Sequence, residues 1–419
     1  MKIQIKNKLI ILIFLLGLLL PQTSLAARLW STGFELQSVT SGVDLGTGVD
    51  AIAISTTTKR SGAASLSCPT GGDYFSFTFS AANPTVDHFL RFYLNIAGYP
   101  TTAIGKIFEI RVFDGTNTAS IKLNTNGTLE LWNENAGGTA AQVGNDSSAL
   151  DLDTWYRIEL AFDYIGASDN VLTAYIDGVQ FATGNDVGGT ADQPVVMYLG
   201  AIGSTINRGI FIDDVAINDS TNSSQTGLPG AGSIVYLWPN AAGDTNTCNA
   251  GDYTSVDETP TPDDATSYAE CDDAADILEV NMQDSSVPGI NSYDNITLVQ
   301  VGIRHVIDTS GTISLAPRIK SAAGGTTTTG TSFDHNDTTW RSNGDAVPRN
   351  YKLTSYTDPT TTAAWTPTGT NSLDNMQIGV IVTDATPDAW ISTLWALVEY
   401  TAGTPPVTGG AQWYINIDD

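Results

Sequence analysis

The feature that most narrows the folds open to this chain is a period of two. In HFLRFYLNI (His88 to Ile96), KIFEIRVFD (Lys106 to Asp114) and WYRIELAFDY (Trp155 to Tyr164) apolar and polar residues alternate. A β-strand sends alternate side chains to opposite faces, so each run reads as a half-buried strand. No stretch sustains the 3.6-residue apolar period of an amphipathic helix. The runs are short and separated by Gly, Asn, Asp, Ser and Thr. Asn126-Gly127 and Asp177-Gly178 are residue pairs that accept the positive φ angles of tight hairpins. The chain is therefore expected to be all-β, folded as β-sandwiches.

At 419 residues it is long enough for two cores. The alternation stops over residues 220–232, a Ser-, Thr-, Asn- and Gly-rich stretch that reads as a linker. The expected organisation is a first sandwich over 27–219, a second over 233–402, and a Pro/Gly-rich tail with a strand-like end over 403–419. A short helix is expected in the loop TPTPDDATSYAECDDAAD.

Lys2, Lys6 and Lys8 precede the apolar run LIILIFLLGLLL, which ends at Pro21 and is followed by Ser24-Leu25-Ala26. This is the pattern of a cleaved signal peptide over residues 1–26, and the run is short for a bilayer span of about 20 residues. The mature protein is expected to be secreted or displayed on a cell surface, with no membrane insertion after signal removal. The chain has 18 Lys and Arg against 45 Asp and Glu; removing the three signal lysines leaves 15 − 45, or −30. A chain this acidic has no electrostatic basis for holding nucleic acid or an anionic membrane. In an oxidising compartment Cys248 and Cys271 lie close enough to staple one loop, worth roughly 3 kcal/mol. Cys68 is then a buried thiol in the strand ASLSC.

Dividing the strands by alternation gives a core set and an outer set. Leu90, Phe92, Leu94 and Ile96 are core, which leaves Arg91, Tyr93 and Asn95 outside; Phe108, Ile110 and Val112 are core, with Glu109 and Arg111 outside. Glu130 and Trp132 face away from Leu129 and Leu131, and Arg157 and Glu159 face away from Ile158 and Leu160. Aromatic rings stack on the apolar faces of sugars while Arg and Glu bond hydroxyls, so this outer set (Arg91, Tyr93, Asn95, Glu109, Arg111, Glu130, Trp132, Arg157) reads as a glycan-binding surface. The bland reading is a solvated sheet with cross-strand ion pairs worth about 0.2–1 kcal/mol each. His88, His305 and His335 are scattered, and there is no phosphate loop or dinucleotide fingerprint.

Five segments in order, Gly33-Phe34-Glu35, Lys59 to Leu66 (KRSGAASL), Asp153 to Leu160 (DTWYRIEL), Leu172 to Phe181 (LTAYIDGVQF) and Gly209 to Ile217 (GIFIDDVAI), resemble the concanavalin A-like, laminin-G-type jelly roll. Beyond Ser233, VYLWPNAAGD, PDDATSYAE and AAWTPTGTNSLDNMQIGV resemble a β-sandwich of bacteriophage and prophage structural proteins, often tail-associated. The first resemblance implies a binding module for glycan or cell-surface polysaccharide. It also implies a calcium ion at a loop rim, for which Asp114, Asp186 and Asp192 are the candidates. No other cofactor is required. Laminarinase-type enzymes of this fold carry Glu, Asp and Glu at alternate positions of one strand. Here Glu130-Leu-Trp132-Asn-Glu134 keeps the outer pair and replaces the middle Asp with Trp, so Glu130 and Glu134 are the residues a hydrolase reading would use. The second resemblance implies a structural role in a particle, with self-association. The lead expectation is a glycan-binding protein without covalent chemistry. Asp213 and Asp214, adjacent in the last strand of the first half, are expected to point to opposite faces unless a bulge intervenes.

Overall fold

The computed structural model describes residues 28–45, 47–79, 86–112, 118–134, 140–163, 169–187, 194–203, 205–206, 208–221, 224–336, 338–343, 351–384 and 387–405. They form strands joined by turns, with two single 3-10 turns and no α-helix. Residues 1–26, expected to be a signal peptide, and the tail beyond 405 lie outside them. Among the described residues no helix is long and apolar enough to cross a membrane.

The described residues up to Asp219 contribute fifteen strands: β1 (Arg28–Thr32), β2 (Thr47–Val49), β3 (Ala53–Ser55), β4 (Ser65–Cys68), β5 (Tyr74–Thr78), β6 (His88–Ile96), β7 (Gly105–Val112), β8 (Thr118–Leu123), β9 (Leu129–Asn133), β10 (Ala141–Val143), β11 (Tyr156–Asp163), β12 (Asp169–Ile176), β13 (Val179–Val187), β14 (Pro194–Gly200) and β15 (Ile210–Asp219). An eight-stranded sheet runs β13-β12-β11-β6-β15-β4-β3, with β1 on β15; a seven-stranded sheet runs β10-β9-β8-β7-β14-β5-β2. Consecutive strands β6 and β7 thus lie in different sheets. Leu90, Phe92, Leu94 and Ile96 from one sheet and Phe108, Ile110, Ile121, Leu129 and Leu131 from the other fill a single apolar core. Each such side chain contributes roughly 1.5–3 kcal/mol by leaving water. Asp177 and Gly178, both at positive φ, turn β12 into β13.

From Ser233 onward come β16 (Ser233–Leu237), β17 (Pro239–Asn246), β18 (Ala269–Cys271), β19 (Ile277–Met282), β20 (Asn295–Ile307), β21 (Ile313–Lys320), β22 (Thr328–Thr329), β23 (Phe333–His335), β24 (Arg341–Ser342), β25 (Thr354–Ser355), β26 (Gln377–Val382) and β27 (Ala389–Thr401). They form a sheet β16-β27-β20-β24, with β18 and β25 attached, and a sheet β17-β19-β26-β21-β22, with β23 attached. A second apolar core sits between these sheets. Cys248 and Cys271 are joined by a disulfide, and Cys68 is a buried free thiol that burial pushes up to about 12. The loop expected to hold a short helix has only the 3-10 turn Tyr253–Ser255 before it, capped by Asp252.

No strand pairing among the described residues joins the two halves, yet they meet over a built seam. Leu36 and Val43 pack with Ile234, Tyr236, Leu298, Tyr351, Trp395 and Leu397 in a third apolar cluster. Tyr236 donates to Asp44 (2.9 Å), Ser31 to the Gln300 side chain (2.5 Å), and Arg304 to the Gly42 carbonyl (3.2 Å). Residues 220–232 are not a free tether either. Gly230 N–H donates to Glu159 (2.8 Å), and Gly227 and Gln225 accept from Asn218 and Arg28.

Candidate functional site

The sandwich topology divides the expected ligand set between two surfaces that face away from each other. Arg91, Tyr93, Asn95 and Arg157 lie on β6 and β11 of the eight-stranded sheet, whereas Glu109, Arg111, Glu130 and Trp132 lie on β7 and β9 of the seven-stranded sheet. They cannot line one groove.

In the first group Arg91 meets the second half of the chain directly, while Tyr93 and the Glu159 beside Arg157 meet residues 230–232. Arg91 is fully buried; its guanidinium ion-pairs with Glu399 of β27 and donates to the carbonyls of Asp214 (3.1 Å) and Gly230 (3.2 Å). Tyr93 accepts a hydrogen bond from Gly232 N–H (3.4 Å) and carries the Arg60 guanidinium 3.4 Å above its ring centre. Asn95 is 3% exposed. Arg157 pairs with the buried Glu159 (2.9 Å), which in turn holds Gly230. Arg91 and Tyr93 are therefore tied into the seam, and Asn95 is buried on the same strand. With exposures of 0%, 6% and 3%, the three offer little surface to a ligand.

The three motif segments Gly33–Glu35, Lys59–Gly62 and Asp213–Asp214 converge at this same seam. Between Asp213 and Ala216 strand β15 advances three residues while β6 advances two, from Tyr93 to Arg91, and Asp214 takes a left-handed φ of 49°. This is a β-bulge, the exception under which the two carboxylates need not diverge. Asp213 accepts from the backbone N–H of Arg60 (2.8 Å) and Ser61 (3.3 Å). Asp214 accepts from the Ser61 hydroxyl (2.7 Å), from Ile234 N–H of the second half (2.6 Å) and from the Arg60 guanidinium. Glu35 takes Ala63 N–H, and a Cβ on Gly62 would collide with the Glu35 carboxylate at 2.0 Å. Gly33 is equally constrained, since a Cβ there would lie 2.5 Å from the Ile234 carbonyl oxygen.

Burial sets the protonation of this cluster. It pushes Glu35 up to about 8 against the pull of the Ala63 and Ala64 N–H groups, with the Asp214 charge adding to the rise. It pushes Asp44 up to about 6 against the Tyr236 and Thr32 hydroxyls, and it raises Asp213, with the neighbouring Asp214 charge adding to the shift. Among the described residues no three His, Cys, Asp or Glu side chains are arranged to hold a metal ion. Of the expected calcium ligands, Asp114 and Asp192 lie outside the described residues, and Asp186 is described only as a strand residue of β13 paired with Asn170.

The second group stands on the open face. Cross-strand register aligns Gln142, Trp132, Ser120, Glu109, Tyr198 and Ser76 in one row across β10, β9, β8, β7, β14 and β5. At about 4.8 Å per strand the row is about 24 Å long, and Trp132 and Tyr198 stand about 14 Å apart on it. The Lys122 ammonium lies 3.8 Å above the Trp132 ring centre, and the Arg111 guanidinium lies 4.7 Å above that of Tyr198. Trp132 Nε1–H donates to Glu130 (2.7 Å), which also accepts from Asn124 (2.8 Å). Glu109 pairs with Lys106 and with Arg111 Nε (2.7 Å). Arg111 is the most open of these cations, its side chain 48% exposed. Ser120 is fully enclosed beneath its neighbours, and its hydroxyl has no hydrogen-bond partner among the described residues. Lys106, Lys122, Tyr198 and Ser120 belong to this site and were outside the expected set, which held Glu134 only for the hydrolase reading. Alternation marks Lys122 and Ser120 as outward-facing, but only the sheet order brings them beside Trp132.

Glu130 and Glu134 fall on this face with Trp132 between them. Glu134 pairs with both Lys106 and Lys122. Burial alone would raise its carboxyl, but the two ammonium groups outweigh that and hold it below the ordinary range. A carboxylate kept ionised suits a base or nucleophile, and it is the reverse of what the general acid of a glycoside hydrolase requires.

No family model matches the chain, and no curated protein matches it. Among solved structures it is similar to an endo-β-1,4-glucuronan lyase from the fungus Trichoderma reesei, at 13% identity over 47% of this chain and all of that one, with a TM-score of 0.35. It is also similar to the cellulose-induced protein Cip1, at 15% identity over 48% of this chain and 99% of that one, TM-score 0.36. A third is the binding domain of Paraclostridial Mosquitocidal Protein 1, at 13% identity over 46% of this chain and 48% of that one, TM-score 0.35. These low values assign no family.

Proposed function

We propose that this chain is a secreted or surface-displayed carbohydrate-binding protein whose ligand lies on the open face of the seven-stranded sheet. The observation that carries the reading is the aligned row in which Trp132 and Tyr198, each backed by a cation, flank Ser120 and Glu109. Rings held rigid by a cation on one side lose little conformational freedom when a sugar packs against them. The surrounding Lys, Arg and Glu groups supply hydroxyl partners, and no step on this face calls for covalent chemistry. The second sandwich has a structural role in this reading, since it occupies the opposite face.

A glycan array probed with the full mature chain tests the proposal. Saturable binding that Trp132→Ala abolishes and Arg91→Met leaves in place is the expected result. An array without hits overturns it. Calcium dependence belongs to the same proposal, with a chelator expected to weaken binding; unchanged binding in chelator removes calcium from it. Release of reducing ends from a β-glucan, lost in Glu134→Gln, would replace binding by hydrolysis.

A further inference from the structure

We infer that the ligand of this face is a linear polysaccharide lying across the strands, engaged along its length and not by a terminal sugar. The inference rests on the carbohydrate reading above and adds the ligand's shape.

Its basis is the profile of the row. Trp132 on β9 and Tyr198 on β14 are separated by two strands, which places them about 14 Å apart. Between them stand Ser120, which is small, and Glu109, whose carboxylate is held down by Lys106 and Arg111 and is 4% exposed. Ser120 is enclosed and Glu109 is covered by Lys106 and Arg111, so the ground between the rings is polar, presented by these two cations, and the rings stand at its two ends. A single sugar touches one ring and leaves the other in water. Only a chain long enough to cross two intervening strands touches both while its hydroxyls meet the polar floor. The row continues beyond both rings, to Gln142 on one side and Ser76 on the other, so among the described residues of the row the chain meets no wall against which to end.

Among the described residues the same face lacks what a protein partner would use. The large apolar side chains most exposed among the described residues are Leu152, Val179 and Val287, and none stands in this row. Protein interfaces centre on a desolvated apolar core, whereas here aromatic rings are interleaved with ion pairs.

The test is calorimetric titration of the full mature chain with two oligosaccharide series of increasing length, one neutral β-glucan and one polyuronate, each starting at the disaccharide. In the series that binds, affinity should rise at least ~10-fold, about 1.4 kcal/mol, between the disaccharide and a chain that spans both rings, and then level off. Trp132→Ala and Tyr198→Ala should each flatten that length dependence, and Trp132→Phe should restore part of it. Thermal unfolding of each variant separates lost binding from lost folding. If the disaccharide binds as tightly as the longer chains, the inference falls while the carbohydrate reading stands. If neither series binds and the glycan array is also empty, the carbohydrate reading itself falls.

Discussion

Removing Glu399 should cost this protein more stability than any other single loss of charge. Its carboxylate is 1% exposed in the seam between the two sandwiches, where it pairs with Arg28 (2.6 Å) and Arg91, both with fully buried side chains. Glu399→Gln keeps the shape and leaves two guanidinium charges without their counter-ion. Breaking a buried ion pair by removing one partner costs about 3–5 kcal/mol. The arginines retain other acceptors: Asn218 (2.6 Å) and Gln225 (2.7 Å) for Arg28, and the carbonyls of Asp214 (3.1 Å) and Gly230 (3.2 Å) for Arg91. The expected loss is therefore at the lower end, about 3 kcal/mol. Guanidinium denaturation of the full chain at neutral pH measures it, with the m-value checking that the transition keeps its cooperativity. Burial alone would raise the Glu399 carboxyl, but Arg28 and Arg91 outweigh that and hold it below its ordinary value. Its contribution is thus fully present above the ordinary carboxylate range and is lost as pH falls through the lowered folded value, so the deficit of Glu399→Gln should shrink in acid. Replacing all three residues together with apolar ones of similar volume should recover most of the loss. A deficit under about 1 kcal/mol at neutral pH, the value of a solvent-exposed pair, would refute the reasoning, as would a deficit that does not shrink on acidification.

Glu35 and Asp44 titrate in the opposite sense, because burial raises their folded values to about 8 and about 6. The folded state keeps protons that the unfolded chain has already lost, so stability should decline as pH rises from the ordinary carboxylate range toward 8. Glu35→Gln should flatten that decline between pH 6 and 8 in a series of thermal melts; an unaltered profile would mean that Glu35 is ionised in the fold. Replacing Cys248 and Cys271 by Ser opens a loop with a sequence separation of 23 residues, for which urea unfolding should show a loss of about 3 kcal/mol. Gly302→Ala would place a Cβ 1.9 Å from Trp395 Cε2, and the overpacking should cost about 1–3 kcal/mol and shift Trp395 fluorescence.

Alternation along single strands was enough to divide the inward from the outward face of each sheet. Leu90, Phe92, Leu94 and Ile96 are buried as the period of two requires, and so are Leu129 and Leu131. It could not say which sheet a strand joins. Arg91 and Arg111 stand in the same local setting, each an outward residue between apolar neighbours, yet β6 and β7 cross the sandwich between them. One arginine is sealed under a second sandwich and the other lies open. β17 escaped detection for a different reason. PNAAGDTN has no apolar alternation, and it is a strand only because it pairs along the edge of β19.

The two adjacent aspartates show how a local rule fails through one residue. An unbroken strand would send Asp213 and Asp214 apart, and no glycine marks the bulge; Asp itself accepts the left-handed backbone at position 214. Once the bulge is present, both carboxylates meet the Arg60-Ser61 turn, Glu35 closes over Gly62, and Asp214 reaches Ile234 in the other half. The segments that resemble the jelly roll are therefore also the ones that fasten the second sandwich to the first. A buried cluster holding Glu35, Asp213 and Asp214 with Arg60 as its nearest cation is stable only where N–H and O–H donors are fixed around it, and the seam supplies them. The eight-stranded sheet cannot both hold this cluster dry and admit a ligand. The proposed binding is left to the opposite face, where Trp132 and Tyr198 are half-buried and partly open to water.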